Sequence, residues 1–224
     1  MENVKALIKA IKTAEAKNAT LTTEKNSKQE AIYSIIDTVK KQYSESRLKA
    51  RQEQKSNIEE LHIEMDKIQK SIDFNNLYIK ALAQEALKEY EVIICNKLLA
   101  NKSNIENVPA RYKKVKNLLD CSEGTECRAW YSEYYHYIEV TFAGNVLPYE
   151  KRSLYITKNF NDPVLDFEQI ERSVNHENKT ADQIKKAVEK FIKAQEKITA
   201  INAEAAAKVS KIKADNYILG LSFK

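Results

Sequence analysis

The chain has 224 residues and a mass of 25.8 kDa, with 31% charged and 43% hydrophobic residues, a formal charge of +5, and only three Gly and three Pro. All six turn-formers lie after residue 108, which points to long helices in the first half and excludes a turn-rich all-β fold. Basic and acidic residues number 18 and 16 in residues 1–107, 10 and 11 in 108–179, and 9 and 5 in 180–224, so no segment has the one-sided excess of a dedicated DNA-binding domain.

The amino-terminal segment repeats apolar residues at Leu7, Ile11, Ala14 and Leu21, is interrupted at Lys25 and Lys28, and resumes at Ile32, Ile35 and Val39. This reads as a helix with a soft spot near residues 18–27. Ser27 and Glu30 have capping-box spacing, the signature of a fresh helix start. Residues 44–57 are almost wholly polar, and the chain is expected to reverse at about 52–57, or alternatively at 73–76.

Residues 58–93 give the clearest period. Ile58, Leu61, Met65, Ile68, Ile72, Asn75, Ile79, Leu82, Ala86, Glu89 and Ile93 alternate steps of three and four, and nine of these eleven are apolar. Such a heptad seam buries one narrow stripe of a helix against another helix.

Pro109 opens a short helix carrying Val115, Leu118 and Leu119. The period then changes to two. Along residues 130–142 one face carries Trp130, Ser132, Tyr134, His136, Ile138, Val140 and Phe142, and the other Tyr131, Glu133, Tyr135, Tyr137, Glu139 and Thr141, as in one half-buried strand. A turn-rich connection leads to a second strand at 152–158, giving an antiparallel hairpin. Asp162 before Pro163 marks a helix that passes Ile170 and Val174 and ends near residues 175–179. Thr180 and Gln183 form a capping box for the last helix, expected to run to about Asn216. Its seam follows Ile184, Val188, Phe191, Gln195, Ile198, Asn202, Ala205, Val209 and Ile212. The tail at 217–223 has strand-like composition.

The expected fold is mainly α, with an α+β insertion. A long antiparallel helical hairpin, coiled-coil-like, occupies 1–107. A small head with a β-hairpin occupies 108–179, and a long carboxy-terminal helix and tail, 180–224, pack on the hairpin. The seams serve equally for a helix of the same chain or for a homo-oligomer.

Candidate partner-binding residues are Tyr131, Glu133, Tyr135, Tyr137, Tyr149 and Tyr155, because Tyr is enriched at protein interfaces. Candidate phosphate-tracking residues are Lys40, Arg47, Arg51 and Lys55, spaced as one helical stripe, with the patch Arg111, Lys113, Lys114 and Lys116. Glu133 and Glu139 stand roughly 20 Å apart along a strand, too far for an acid/base pair. His136 reads as a core histidine. Cys121, Cys127, His136 and His176 lack the ligand spacing of a zinc site, and no phosphate-cradling or nucleophile motif occurs. No cofactor, metal or catalytic residue is therefore expected.

The amino terminus has no apolar core of signal-peptide length, and no stretch approaches the roughly 20 apolar residues of a membrane span. The three cysteines, at irregular spacing, fit a reducing cytoplasm, and a Cys121–Cys127 disulfide stays open. Richness in Lys, Asn and Ile with only six Arg has the character of an AT-rich bacterium or phage. The expected function is a non-enzymatic protein-interaction module in the bacterial or host cytoplasm, such as a phage accessory protein or an inhibitor of a host complex. The alternative is a nucleic-acid-binding protein using the basic residues.

Overall fold

In a computed structural model, residues 2–42, 44–103, 128–131, 138–142, 152–155 and 166–218 are described, with the strand side chains and those of 44, 45 and 214–218 excepted. Helix α1 spans Glu2–Lys40 and α2 spans Ser44–Ala100. Three short strands follow, β1 (Arg128–Tyr131), β2 (Ile138–Phe142) and β3 (Arg152–Tyr155), then α3 (Phe167–Ser173) and α4 (Ala181–Ile218). The chain divides into two units, Met1–Ile184 and Lys185–Lys224. The mainly-α class holds for the described residues, whereas most of the head assigned to 108–179 lies outside them.

Helices α1 and α2 form an antiparallel pair along a seam that runs unbroken through α1. Val4, Leu7, Ile11, Ala14, Ile32 and Val39 are buried there. Every seam residue of α2 from Ile58 to Ile93 is buried or half-buried. The expected soft spot at 18–27 and restart at Ser27 do not occur, because the polar residues of the α1 seam meet polar residues of α2. Asn18 donates to Asn76 Oδ1 at 2.8 Å and accepts from Asn75 Nδ2 at 2.9 Å. Lys25 Nζ donates to Gln69 Oε1 at 2.7 Å, and Lys28 Nζ to Glu64 Oε2 at 2.5 Å. The Lys28 bond draws the Glu64 carboxyl below its ordinary range and raises the Lys28 ammonium. These crossings fix the register, since an axial slip leaves buried Asn75 without its partner.

The reversal falls between the end of α1 at Lys40 and the start of α2 at Ser44 rather than at 52–57. Residues 45–57 have only Leu48 and Ala50 as apolar side chains but are rich in Glu, Gln, Lys and Arg, which are strong helix formers, and contain no breaker. They form the exposed first turns of α2. At the end of α1 the Arg47 guanidinium donates to the Lys40 carbonyl, one of the acceptors a helix end leaves unpaired. The stretch 130–142 is not one strand either. β1 and β2 pair antiparallel with Trp130 opposite Glu139, and β2 pairs with β3 with Glu139 opposite Tyr155. The alternating faces drawn for 130–142 are therefore replaced by two short strands joined across 132–137.

Helix α3 begins later than Asp162 suggested. Asp166 is its cap, accepting from the Gln169 N–H at 3.1 Å. Phe167 and Ile170 bury α3 on the end of α2 near buried Cys95 and Leu98, and Lys102 lies 4.9 Å from the Phe167 ring centroid and 3.9 Å from Glu171. Burial pushes the Cys95 thiol to about 11, with Glu91 adding to the shift and Ser173 opposing it. The thiol therefore stays protonated at neutral pH. Cys121 and Cys127 lie outside the described residues.

The capping box at the start of α4 forms as expected. Thr180 N–H donates to Gln183 Oε1 at 2.8 Å and Gln183 N–H to Thr180 Oγ1 at 3.3 Å. Helix α4 reaches Ile218, close to the expected end.

Candidate functional site

Burial on α2 widens beyond the seam after Leu82, so that Ala83, Glu85, Ala86, Leu87, Glu89, Tyr90 and Glu91 are all buried. The segment 174–181, which crosses this part of α2 near Glu85, and α3, which packs on its end, both cover it. Glu85 Oε1 accepts the Lys179 N–H at 2.8 Å and lies 2.9 Å from His176 Nε2. Asn3 Nδ2 bridges Glu89 Oε1 and the Lys179 carbonyl, the latter at 3.3 Å. Tyr78 donates to the Ala181 carbonyl at 3.3 Å. Two carboxylates, one imidazole, one amide and one phenol thus tie the entry of α4 to both helices of the hairpin.

Chemically this cluster is a clamp whose polar groups are engaged with one another. Burial is the main cause that raises the Glu89 carboxyl above its ordinary value, opposed by the Asn3 bond, with neighbouring Glu85 raising it further and the amino terminus and His176 lowering it. A carboxyl raised on folding binds its proton more tightly in the native state. Its contribution to stability is complete below the unfolded value and is lost as pH rises through the folded one. Glu89→Gln keeps an acceptor for Asn3 and removes the charge. Its melting temperature is expected to match the native chain at about pH 4 and to exceed it at about pH 7, where the native carboxylate is ionised. Thermal unfolding across that range checks this, and a gain that is constant with pH contradicts it.

His176 was named in the sequence only as an unlikely zinc ligand, and Glu85 carried no signal because it lies off the heptad positions. Among the described residues no group of three or more His, Cys, Asp or Glu is arranged to hold a metal ion.

The basic residues are divided by the reversal. Lys40 ends α1, whereas Arg47, Arg51 and Lys55 lie on α2, so the four do not form one helical stripe. Arg47 is engaged with the Lys40 carbonyl, and Lys55 pairs with Glu59 at 3.7 Å. Lys41 pairs with Asp37 at 2.7 Å. Arg111, Lys113, Lys114 and Lys116 lie outside the described residues, as do Glu133, Tyr135, Tyr137 and Tyr149. Tyr131 and Tyr155 fall in β1 and β3, with their side chains outside the description.

The carboxy-terminal seam is exposed over most of its length. Phe191, Ile198, Val209 and Ile212 are each at least 50% exposed, and Ile201 beside them is 65% exposed. With the seam positions lettered as a heptad, the flanking positions carry Lys185, Ala187, Ile192, Ala194, Thr199, Ile201, Ala206, Lys208 and Lys213, while Glu189, Lys190, Lys193, Glu196, Lys197 and Glu204 lie on the far side. The apolar face, interrupted in the seam by Gln195 and Asn202, is therefore widened on both sides by Ile192, Ala194, Ile201 and Ala206.

Comparison with family models, with curated proteins and with solved structures finds no match to this chain. No helix among the described residues is long and apolar enough to cross a membrane.

Proposed function

We propose that the chain is a non-enzymatic protein-interaction module in which the hairpin is a rigid support and α4 is the binding helix. The observation that carries this reading is the row of Phe191, Ile198, Ile201, Val209 and Ile212, all half or more exposed along one helix face. Contiguous exposed apolar surface of this kind marks interaction sites, because leaving it in water forgoes the free energy of burial. Clamping of the 174–181 segment supports the same reading, since a fixed root reduces the ordering entropy lost on binding. The aromatic residues Tyr131, Tyr135, Tyr137, Tyr149 and Tyr155, with Glu133, are proposed as a second contact surface. An intracellular partner, including a host complex bound by a phage accessory protein, fits this proposal.

A photo-crosslinking amino acid at position 201 tests it. Irradiation inside the producing cell is expected to give covalent protein adducts that disappear when Ile198 and Val209 are replaced by Glu. The absence of any protein adduct overturns the reading. The alternative, nucleic-acid binding through the basic residues, of which Arg51 is exposed near the reversal, expects a labelled oligonucleotide to bind with affinity that falls steeply with salt.

A further inference from the structure

We infer that the partner of the α4 face is a second copy of this chain, docked parallel and in register; the inference rests on the reading of α4 as the binding helix. The argument comes from two polar residues in the seam. Alternating steps of three and four place Val188, Gln195, Asn202 and Val209 at a positions, and Ile184, Phe191, Ile198, Ala205 and Ile212 at d positions. Both amides are a residues, and every d residue is apolar.

In a parallel, in-register pair of helices each a residue faces its own copy. Asn202 then meets Asn202 and Gln195 meets Gln195. A side-chain amide is both donor and acceptor, so each such layer satisfies itself. In an antiparallel pair a residues face d residues. Gln195 and Asn202 would then be set directly against Phe191, Ile198, Ala205, Ile184 or Ile212, and outside the registers that bring amides of the two helices into neighbouring layers both would be buried without partners, at a cost of about 1–3 kcal/mol each. The two amide layers, one heptad apart, thus favour identical helices running the same way, where each amide faces its own copy.

The available area sets the strength. Ile184 and Val188 are already buried, so the free strip runs from Phe191 to Ile212. It is about 32 Å long and about 10 Å wide, or roughly 640 Å² in projection over two helices. Side-chain relief raises the accessible area toward the ~1,000 Å² lower bound of specific interfaces. Lys208 and Lys213 at g and e positions face each other across such a pair without an acid between them. The dimer is therefore reversible, and it tightens as salt screens the lysines.

The test is light scattering coupled to gel filtration on the full chain, from about 1 to about 200 µM, a span suited to weak, reversible pairs at the small end of interface sizes. The mass is expected to rise from 25.8 kDa toward twice that value, more readily at high salt. Ile198→Glu with Val209→Glu is expected to hold it at the monomer mass, with the melting temperature of the hairpin unchanged. N202C is expected to form an intermolecular disulfide at least tenfold faster than the native cysteines do. A monomer at every concentration overturns the inference, as does a dimer indifferent to the double variant. A dimer in which N202C gives no added disulfide overturns the parallel register. If position 201 crosslinks only to a different polypeptide, the second copy is excluded while the reading of α4 as a binding helix stands; if it crosslinks to nothing, both fall.

Discussion

Replacing Leu82 by Ala lowers the unfolding free energy of the hairpin by about 3 kcal/mol, within the 2–5 kcal/mol that large-to-small changes cost in packed cores. Leu82 is 0% exposed and lies on α2 between the Asn18–Asn75 and Asn3–Glu89 crossings. Those polar bonds hold the two helices at fixed axial positions, so the helices cannot slide to fill the space left by the side chain. The expected fall in melting temperature is about 6–12 °C. Leu48, which is 68% exposed on the first turns of α2, is the control, and Leu48→Ala is expected to change stability by less than about 0.5 kcal/mol. Urea unfolding of the two variants decides the matter. A cost below about 1 kcal/mol for Leu82→Ala would show that the pair can repack, contrary to the seam described.

Glu85→Ala has the second large effect, and it is local. One carboxylate oxygen accepts from both the Lys179 N–H and the His176 ring. Removing it strands a backbone donor and an imidazole nitrogen beside buried apolar side chains, at a cost of about 2–3 kcal/mol. The readout that separates this from general weakening is amide exchange. Protection at Lys179 is expected to fall at least tenfold, while amides around Leu82 keep theirs until the chain unfolds globally. Glu85→Gln retains the acceptor and is expected to restore most of the Lys179 protection. Unchanged exchange at Lys179 in the Ala variant would mean that the segment is held by Asn3 and Tyr78 instead.

The seam of α2 was legible because nine of eleven positions are apolar. The seam of α1 was not, because Asn18, Lys25 and Lys28 break the apolar pattern, and the residues that answer them, Asn75, Asn76, Gln69 and Glu64, lie 36 to 58 positions away. An interruption reads as a helix end only until its complement is known. The reversal was misplaced for a related reason: apolar periodicity reports burial, and residues 45–57 are helical by intrinsic preference without being buried. The Glu85 clamp left no trace in the sequence, since a carboxylate off the heptad positions looks like any solvated helix residue. The α4 stripe was fully legible as a stripe, and heptad spacing by itself names no occupant.

Lys102 and Glu171 stand 3.9 Å apart, and α3 is seated on the end of α2. The chain therefore leaves the hairpin and returns to it at nearly one place, with 68 residues between those two positions. A span whose ends are pinned together can lengthen, shorten or be exchanged for another sequence at little entropic cost, because closure entropy grows only with the logarithm of length. The end of α2 and α3 act as a socket, so that an insertion between these two positions is expected to cost the helices beneath it little stability.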